Sequence, residues 1–197
     1  MKPIENENTF YAQSNKEWRD WLQENHLNKE SVWLIIYKKE SNIPSVYYSE
    51  AVDEALCFGW IDSLANKRDD KSYYQFFSKR KLKSNWSKVN KLKVEQLLKE
   101  NKMMPQGMKM VEYAKESGTW DALNKVDELL IPVEMKELFL KNEKAKINFE
   151  NFPVSVKKGI LEWIYNAKQD STRLKRITET VFLAEKNIRA NQYQPKK

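Results

Sequence analysis

The segment from Lys79 to Lys91 brings together several cations, an aromatic side chain and the start of a helix. Ser84 or Asn85 can cap that helix and leave free backbone N–H groups beside the cations. The helix dipole and the cations would then act together on a phosphate or a carboxylate. The sequence therefore predicts a site for an anionic ligand, with the candidate residues Tyr74, Arg80, Lys81, Lys83, Trp86 and Asn90.

Single-stranded nucleic acid is an alternative partner for the same segment, because Trp86 or Tyr74 could stack on a base. A tryptophan in the first turn of a helix is also a typical core anchor, so Trp86 has a structural interpretation as well. No RNA-recognition or helix-turn-helix pattern is present in the sequence. Binding that weakens steeply with salt would indicate a nucleic-acid partner.

Asp62 is the carboxylate whose position could matter for chemistry. Strand alternation places it on the same face as Trp60 and Leu64, which we expect to be the better-covered face. A buried carboxylate needs a cation or several hydrogen-bond donors, and Arg80 or Lys81 lies within reach. We expect a structural ion pair. The alternative is that Asp62 and Arg80 form the polar pair of an enzyme acting on a small anionic substrate.

Most catalytic templates are missing from the sequence. The chain has one histidine, His26, one cysteine, Cys57, and four glycines, which excludes paired-histidine metal motifs, cysteine zinc sites and glycine-rich phosphate loops. Cys57 lies at an apolar helix end, where a free cysteine usually packs as a small hydrophobic residue. We predict no metal, no cofactor and no catalytic residue.

The positive charge of the chain is unevenly distributed. The net charge is +7, but residues 1–66 carry a net −5, residues 67–109 a net +9 and the remainder a net +3. Residues 67–109 are therefore the place where we expect a basic surface and an anionic partner. A lysine-rich surface that is simply solvated is the alternative.

Composition also bears on location. A single cysteine allows no intramolecular disulfide, and the first residues contain no apolar stretch typical of a secretory signal. The longest apolar runs, such as Val32–Tyr37, are too short to span a bilayer. We therefore predict a cytoplasmic protein without a transmembrane segment, and the sequence gives no indication of oligomeric state.

The elements that position the candidate residues follow an α+β order. The SNKE sequence at residues 14–17 predicts a capped first helix, and Val32–Tyr37 predicts a central strand covered on both faces. A second helix should run from after Ser49 to Gly59. Two alternating runs around residues 69–70 predict a hairpin. We expect a small antiparallel or mixed sheet of about three strands packed with helices.

Beyond Ser84 the pattern is helical almost to the end of the chain. The predicted helices cover residues 86–101, 106–117, 132–140, 144–149, 156–168 and a last one from Ser171, with residues 120–130 as a linker or docking segment and a frayed tail from Asn191. The last helix should bury a stripe of Leu174, Ile177, Val181 and Ile188. The sequence therefore predicts an α+β region over residues 1–121 and a helical module over 122–197, packed as one unit.

Several blocks of the chain, taken in order, resemble a known family. They are EAVDEALCFGWIDS at residues 50–63, Arg80, SNWSKVN at 84–90, MPQG at 104–107, AK at 167–168 and TRLKRI at 172–177. Together they resemble the YdeI/OmpD-associated family, also labelled bacteriocin-protection. The resemblance implies a protein connected with stress or bacteriocin protection, sometimes periplasmic, and it implies no reaction and no cofactor.

The resemblance matches polar and aromatic positions one by one, namely Asp62, Arg80, Trp86, Asn90, Lys168, Thr172, Arg173 and Arg176. The chain departs from the family pattern at Lys79, where proline is common, and at Asn101, where glycine is common. We therefore add Lys168, Arg173 and Arg176 to the candidate ligand-binding residues.

Arg173 and Arg176 would share one face of a helix, because they lie three residues apart. Capping by Asp170 or Ser171 would put Arg173 in the first helical turn, where the dipole disfavours a cation. We hypothesise that a carboxylate relieves this, either Asp62 or Glu54. The sequence as a whole predicts non-enzymatic binding of an anionic ligand. Nucleic-acid binding through residues 67–109 and an enzyme using Asp62 and Arg80 are the alternatives.

Overall fold

Nine helices and four strands are formed by residues 3–191, the part of the chain that the computed structural model describes. The α+β class predicted from the sequence is confirmed. The chain divides into a first unit that ends at Ala122 and a second that begins at Leu123, and each unit has its own hydrophobic core. Within residues 3–191, none of the helices combines the length and the apolar character needed to cross a bilayer.

The sheet of the first unit has four strands where the sequence predicted about three. They are β1 (Thr9–Tyr11), β2 (Ser31–Tyr37), β3 (Trp60–Lys67) and β4 (Ser72–Lys79), in the spatial order β1-β2-β4-β3. The missed strand is β1, which pairs with β2 in parallel, whereas the other pairs are antiparallel. With only three residues, β1 is too short for an alternating pattern to indicate it.

Strand β2 is central and covered on both faces, as predicted. Val32, Leu34 and Ile36 belong to the main core cluster, on the side where the helices of the unit pack. Trp33 and Ile35 alternate with them and are buried on the opposite face. Two apolar faces with a run of β-branched residues are typical of an interior strand.

The predicted hairpin is formed by β3 and β4, but the alternation in β3 breaks. Asp62 pairs with buried Phe77, and the register then shifts before Ala65. A bulge of this kind inserts an unpaired residue and turns the following side chains. Leu64, expected on the covered face beside Asp62, is consequently 64% exposed.

The first unit has four α-helices among its described residues: α1 (Asn15–Asn25), α2 (Tyr48–Cys57), α3 (Lys88–Lys99) and α4 (Pro105–Glu116). Helix α2 packs directly on β3, and α1, α3 and α4 pack on α2. The predicted cap of α1 is confirmed, since the hydroxyl of Ser14 accepts a hydrogen bond from the backbone N–H of Glu17. The predicted cap of α3 at Ser84 or Asn85 is wrong. Ser87 caps that helix instead by accepting from the backbone N–H of Asn90, so the loop after β4 is longer than expected.

Helices α2 and α4 approach so closely that a glycine is needed at the contact. A Cβ placed on Gly107 would lie 2.1 Å from the carbonyl oxygen of Cys57. The backbone N–H of Met104 donates to the same carbonyl at 3.0 Å. Gly59 follows α2 with φ of +74°, and a Cβ there would lie 2.9 Å from Met110. The ALCFGWIDS and MPQG blocks therefore meet as one packed junction.

The second unit is helical: α5 (Asn124–Asp127), α6 (Val133–Lys141), α7 (Glu143–Asn151), α8 (Val154–Tyr165) and α9 (Asp170–Glu185). The predicted stripe of α9 is correct for Ile177 and Val181, which are buried. It is wrong for Leu174, which is 46% exposed, and Ile188 lies beyond the end of the helix. Of the predicted tail, only Asn191 lies inside the described residues.

Candidate functional site

A groove of about 940 Å³ opens on the face of the sheet opposite the helices. Phe76 and Ser78 of β4 contribute to it, and both alternate with Phe77, which points into the core. The loop that follows β4 forms its other wall. We call this feature the basic groove, and its lining residues are Glu30, Ser31, Ile61, Ser63, Phe76, Ser78, Lys79, Arg80, Lys81, Leu82, Lys83 and Ser84.

Among the residues that the structure describes, four cations and one carboxylate line the basic groove. The carboxylate, Glu30, already forms an ion pair with Lys79 at 2.6 Å. Lys81 and Lys83 are exposed, and within residues 3–191 no carboxylate lies within 4.0 Å of either ammonium group. The groove therefore has a surplus of positive charge, which comes from the loop after β4.

Arg80 is the cation in the most unusual environment. Its side chain is 6% exposed, and its guanidinium lies 3.6 Å above the ring of Trp86. One terminal nitrogen donates to the carbonyl of Asn85 at 2.6 Å, whereas Nε is buried without a hydrogen-bond partner. Burial lowers the pKa of Arg80 to about 10, and the charge of Asp62 opposes that shift. Arg80 is therefore a charged group at neutral pH, held in a poorly solvated place.

Asp62 does not form the ion pair expected from the sequence. Its carboxylate accepts a hydrogen bond from the hydroxyl of Tyr48 at 2.6 Å. Burial and this hydrogen bond raise the pKa of Tyr48 to about 12. Asp62 lies on the core face of β3, where Tyr48 of α2 supplies the donor, while the guanidinium of Arg80 lies over the ring of Trp86. Asp62 therefore acts on Arg80 only through longer-range attraction and does not line the groove.

The two aromatic candidates lie outside the groove. Trp86 is buried between Arg80 and Trp120, whose ring centroid is 5.0 Å away. Tyr74 donates to Glu5 at 3.3 Å and lies against Trp33. Neither residue presents a free ring face beside the cations of the loop. Asn90, the last candidate of this segment, takes part in the first turn of α3 through its backbone N–H.

The candidates Lys168, Arg173 and Arg176 all belong to the second unit. Arg173 binds the carboxylate of Glu134 in α6, not Asp62 or Glu54 as hypothesised. A backbone hydrogen bond at Glu134 and the guanidinium of Arg173 hold the pKa of that carboxyl below its usual value. Glu54 is occupied elsewhere by an ion pair with Arg19.

Arg176 has a structural partner as well. Its guanidinium donates to the backbone carbonyl of Trp163 and lies 5.0 Å from the centroid of the same indole. Lys168 is exposed in the loop between α8 and α9. Arg173 therefore links α9 to α6, and Arg176 links α9 to α8. Both arginines make structural contacts within the second unit.

The thiol of Cys57 is fully buried in the core of the first unit. Burial raises the pKa of this thiol to about 11, and Glu54 adds to the shift. A buried thiol that stays protonated is a poor nucleophile. The expectation that Cys57 packs as a small hydrophobic residue is confirmed.

Several residues of the groove were not identified from the sequence. Ile61, Phe76 and Leu82 supply its apolar surface, and hydroxyl groups come from Ser31, Ser63, Ser78 and Ser84. Strand alternation places Phe76 on the face opposite Phe77. The pattern could not show that Phe76 lines a groove beside the basic loop.

The first unit is thus an α+β fold with the basic groove on the sheet face opposite its helices, and the second unit is helical. The chain belongs to the family described as a domain of unknown function (DUF8412), whose model matches residues 10–110, just over half of its length. Residues 128–187 match the family model described as Bacteriocin-protection, YdeI or OmpD-Associated, which confirms the resemblance for that part. Comparison with curated proteins and with solved structures finds no significant match.

Proposed function

We propose that this protein binds an anionic ligand in the basic groove and performs no catalysis there. The proposal rests on one observation: Arg80, Lys81 and Lys83 line a single groove, and the only carboxylate that residues 3–191 contribute to it is already paired with Lys79. Unbalanced positive charge in a concave, partly apolar site raises the local concentration of anions. The groove also has a volume typical of small-molecule sites, which span roughly 300–1,000 Å³.

Arg80 strengthens the proposal energetically. A buried charge without an ionic partner is destabilising by several kcal/mol unless other groups compensate. Within residues 3–191, Arg80 has no carboxylate within 4.0 Å, and its contacts are a ring face and one carbonyl. An anion in the groove would supply the missing negative charge at short range. Hydrogen bonds that involve a charged group contribute about 1.5–3 kcal/mol.

The arrangement offers no acid–base pair for catalysis. Asp62, the carboxylate considered for that role, is outside the groove and bound by Tyr48. Glu30 is inside the groove, but its carboxylate is already engaged in an ion pair with Lys79. A general acid or base needs access to the substrate and a pKa near the working pH. These contacts support binding over turnover.

The family descriptions suggest a setting for such binding. The second unit matches a family whose description refers to bacteriocin protection. We propose that the chain acts in stress or defence, in the cytoplasm, with the second unit as an accompanying module.

The first test is a charge reversal in the loop. The double variant Lys81→Glu/Lys83→Glu should bind octanoate or inorganic phosphate at least about 10-fold more weakly than the wild type, because like charges now face the ligand. Titration calorimetry at low salt measures the effect. Lys99→Glu/Lys109→Glu, which makes the same change of net charge at exposed positions of α3 and α4 outside the groove, is the matched control and should bind like the wild type. Equal affinities for all three proteins would refute the proposal.

Nucleic-acid binding is the alternative outcome of the same titration. The basic segment favours it, but the two aromatic residues that could stack on bases are outside the groove. A single-stranded oligonucleotide that binds more tightly than octanoate, with an affinity falling steeply as salt rises, would favour this alternative.

A further inference from the structure

We propose that the ligand of the basic groove is an amphiphilic anion, a small molecule with one acidic headgroup on an apolar body, such as a medium-chain carboxylate. This inference rests on the proposed function and deepens it by naming a ligand class. It follows from the way charge and apolar surface are divided within the groove.

The apolar part of the groove is formed by three apolar side chains that are partly exposed to water. Ile61 and Phe76 are half-buried on neighbouring strands, and Leu82 in the loop is 50% exposed. Phe76 is held by the buried ring of Trp33, whose centroid is 4.8 Å away. Covering these three side chains removes apolar surface from water, which favours binding of a ligand with an apolar body. An inorganic anion would leave them exposed.

The charged part of the groove is confined to the loop after β4. Arg80, Lys81 and Lys83 all belong to it, whereas the strands contribute one cation, Lys79, which is already paired. Three neighbouring cations suit one headgroup. A nucleic-acid strand instead requires cations spaced along its backbone and exposed rings for its bases.

The volume of the groove agrees with this division. At about 940 Å³ it lies near the upper end of small-molecule sites, and a headgroup alone would occupy a small part of it. Ser31 of β2 and Ser78 of β4 place two hydroxyl groups in the groove, so its floor is mostly apolar with two polar positions. We therefore place the headgroup at the loop and the body across β4 and β3.

The test compares three probes on the full chain by titration calorimetry: octanoate, 1-octanol and inorganic phosphate. Octanoate should bind at least about 10-fold more tightly than either of the others, because only octanoate uses both parts of the groove. Leu82→Ser should weaken octanoate binding about 5-fold or more and leave phosphate binding unchanged. Leu92→Ser, which removes an exposed leucine of α3 outside the groove, is the matched control and should behave as the wild type.

Each outcome separates the two proposals. Equal binding of octanoate and phosphate, both weakened by Lys81→Glu/Lys83→Glu, would overturn the amphiphile and leave anion binding standing. Binding of 1-octanol as tight as that of octanoate, or an unchanged affinity of Leu82→Ser for octanoate, would also overturn the amphiphile. No binding of any probe, or binding insensitive to the double charge reversal, would overturn both.

Discussion

Replacing Gly107 with alanine is expected to destabilise the first unit by about 3 kcal/mol, the upper range for overpacking a tight interior. In an exposed helix, replacing glycine with alanine normally stabilises the folded protein by about 1 kcal/mol. Here the added Cβ would lie 2.1 Å from the carbonyl oxygen of Cys57 and 2.8 Å from that of Leu56. Both are backbone atoms that no side-chain rotation can move, so packing outweighs helix propensity.

Urea unfolding, followed by circular dichroism, measures this change in the free energy of unfolding. Gly118→Ala is the matched control, because Gly118 has φ of +77° but open space around it. Its cost should be only the left-handed backbone penalty, about 1–2 kcal/mol. If Gly107→Ala were as stable as the wild type, the close approach of α2 and α4 would be wrong.

Replacing Arg80 with methionine is expected to weaken anion binding about 10- to 100-fold, while the free energy of unfolding changes by about 1 kcal/mol or less. Methionine keeps a flexible apolar chain on Trp86 and removes both the desolvated charge and the unpartnered Nε. The lost hydrogen bond to the carbonyl of Asn85 offsets part of that gain. Binding should therefore fall without a matching loss of stability.

Octanoate titration and urea unfolding of the same preparation test this separation. Arg189→Met, an exposed substitution in the second unit, controls for the loss of one positive charge from the whole chain. A loss of binding that appears only together with unfolding would mean that Arg80 is a structural residue. Unchanged binding by a well-folded Arg80→Met would remove Arg80 from the site.

The elements with a strong local signal were predictable. The run of apolar residues in β2 and the SNKE cap of α1 each indicated its element correctly. Local sequence signals predicted the wrong residue where several neighbouring residues could serve as the N-cap of the same helix. Ser84, Asn85 and Ser87 can all cap a helix, and the sequence pattern does not distinguish between them; in the structure the cap is Ser87.

The cations of the candidate site could be predicted from the sequence, but the groove that they line could not. Arg80, Lys81 and Lys83 could be named because a block of cations is visible in the sequence. The partners of Asp62 and Arg173 could not, since Tyr48 and Glu134 are brought to them by helix packing. The apolar floor also depends on which sheet face the helices leave uncovered, which is a property of the folded unit.

Two of the sequence blocks that resemble the YdeI/OmpD-associated family have a structural explanation in the first unit. Gly59 and Gly107 occupy points where any side chain would meet another element. The ALCFGWIDS and MPQG blocks therefore meet at the junction of α2 and α4, while Ile61 and Ser63, at the end of the first block, also line the groove. Motif residues at this junction are expected to affect stability, and groove residues to affect binding.

Binding of an amphiphilic anion in the basic groove is tested most directly by mapping the nuclear magnetic resonance signals of the ¹⁵N-labelled full chain during titration with octanoate. We predict that the amide signals that shift belong to Ile61, Phe76 and residues 79–84, which end β4 and form the loop after it. A competing pocket of about 390 Å³ exists in the second unit, where Ile131, Phe139 and Leu140 lie beside the charged residues Lys136, Lys146 and Glu150. Shifts confined to that pocket, with the signals of residues 79–84 unmoved, would contradict the account.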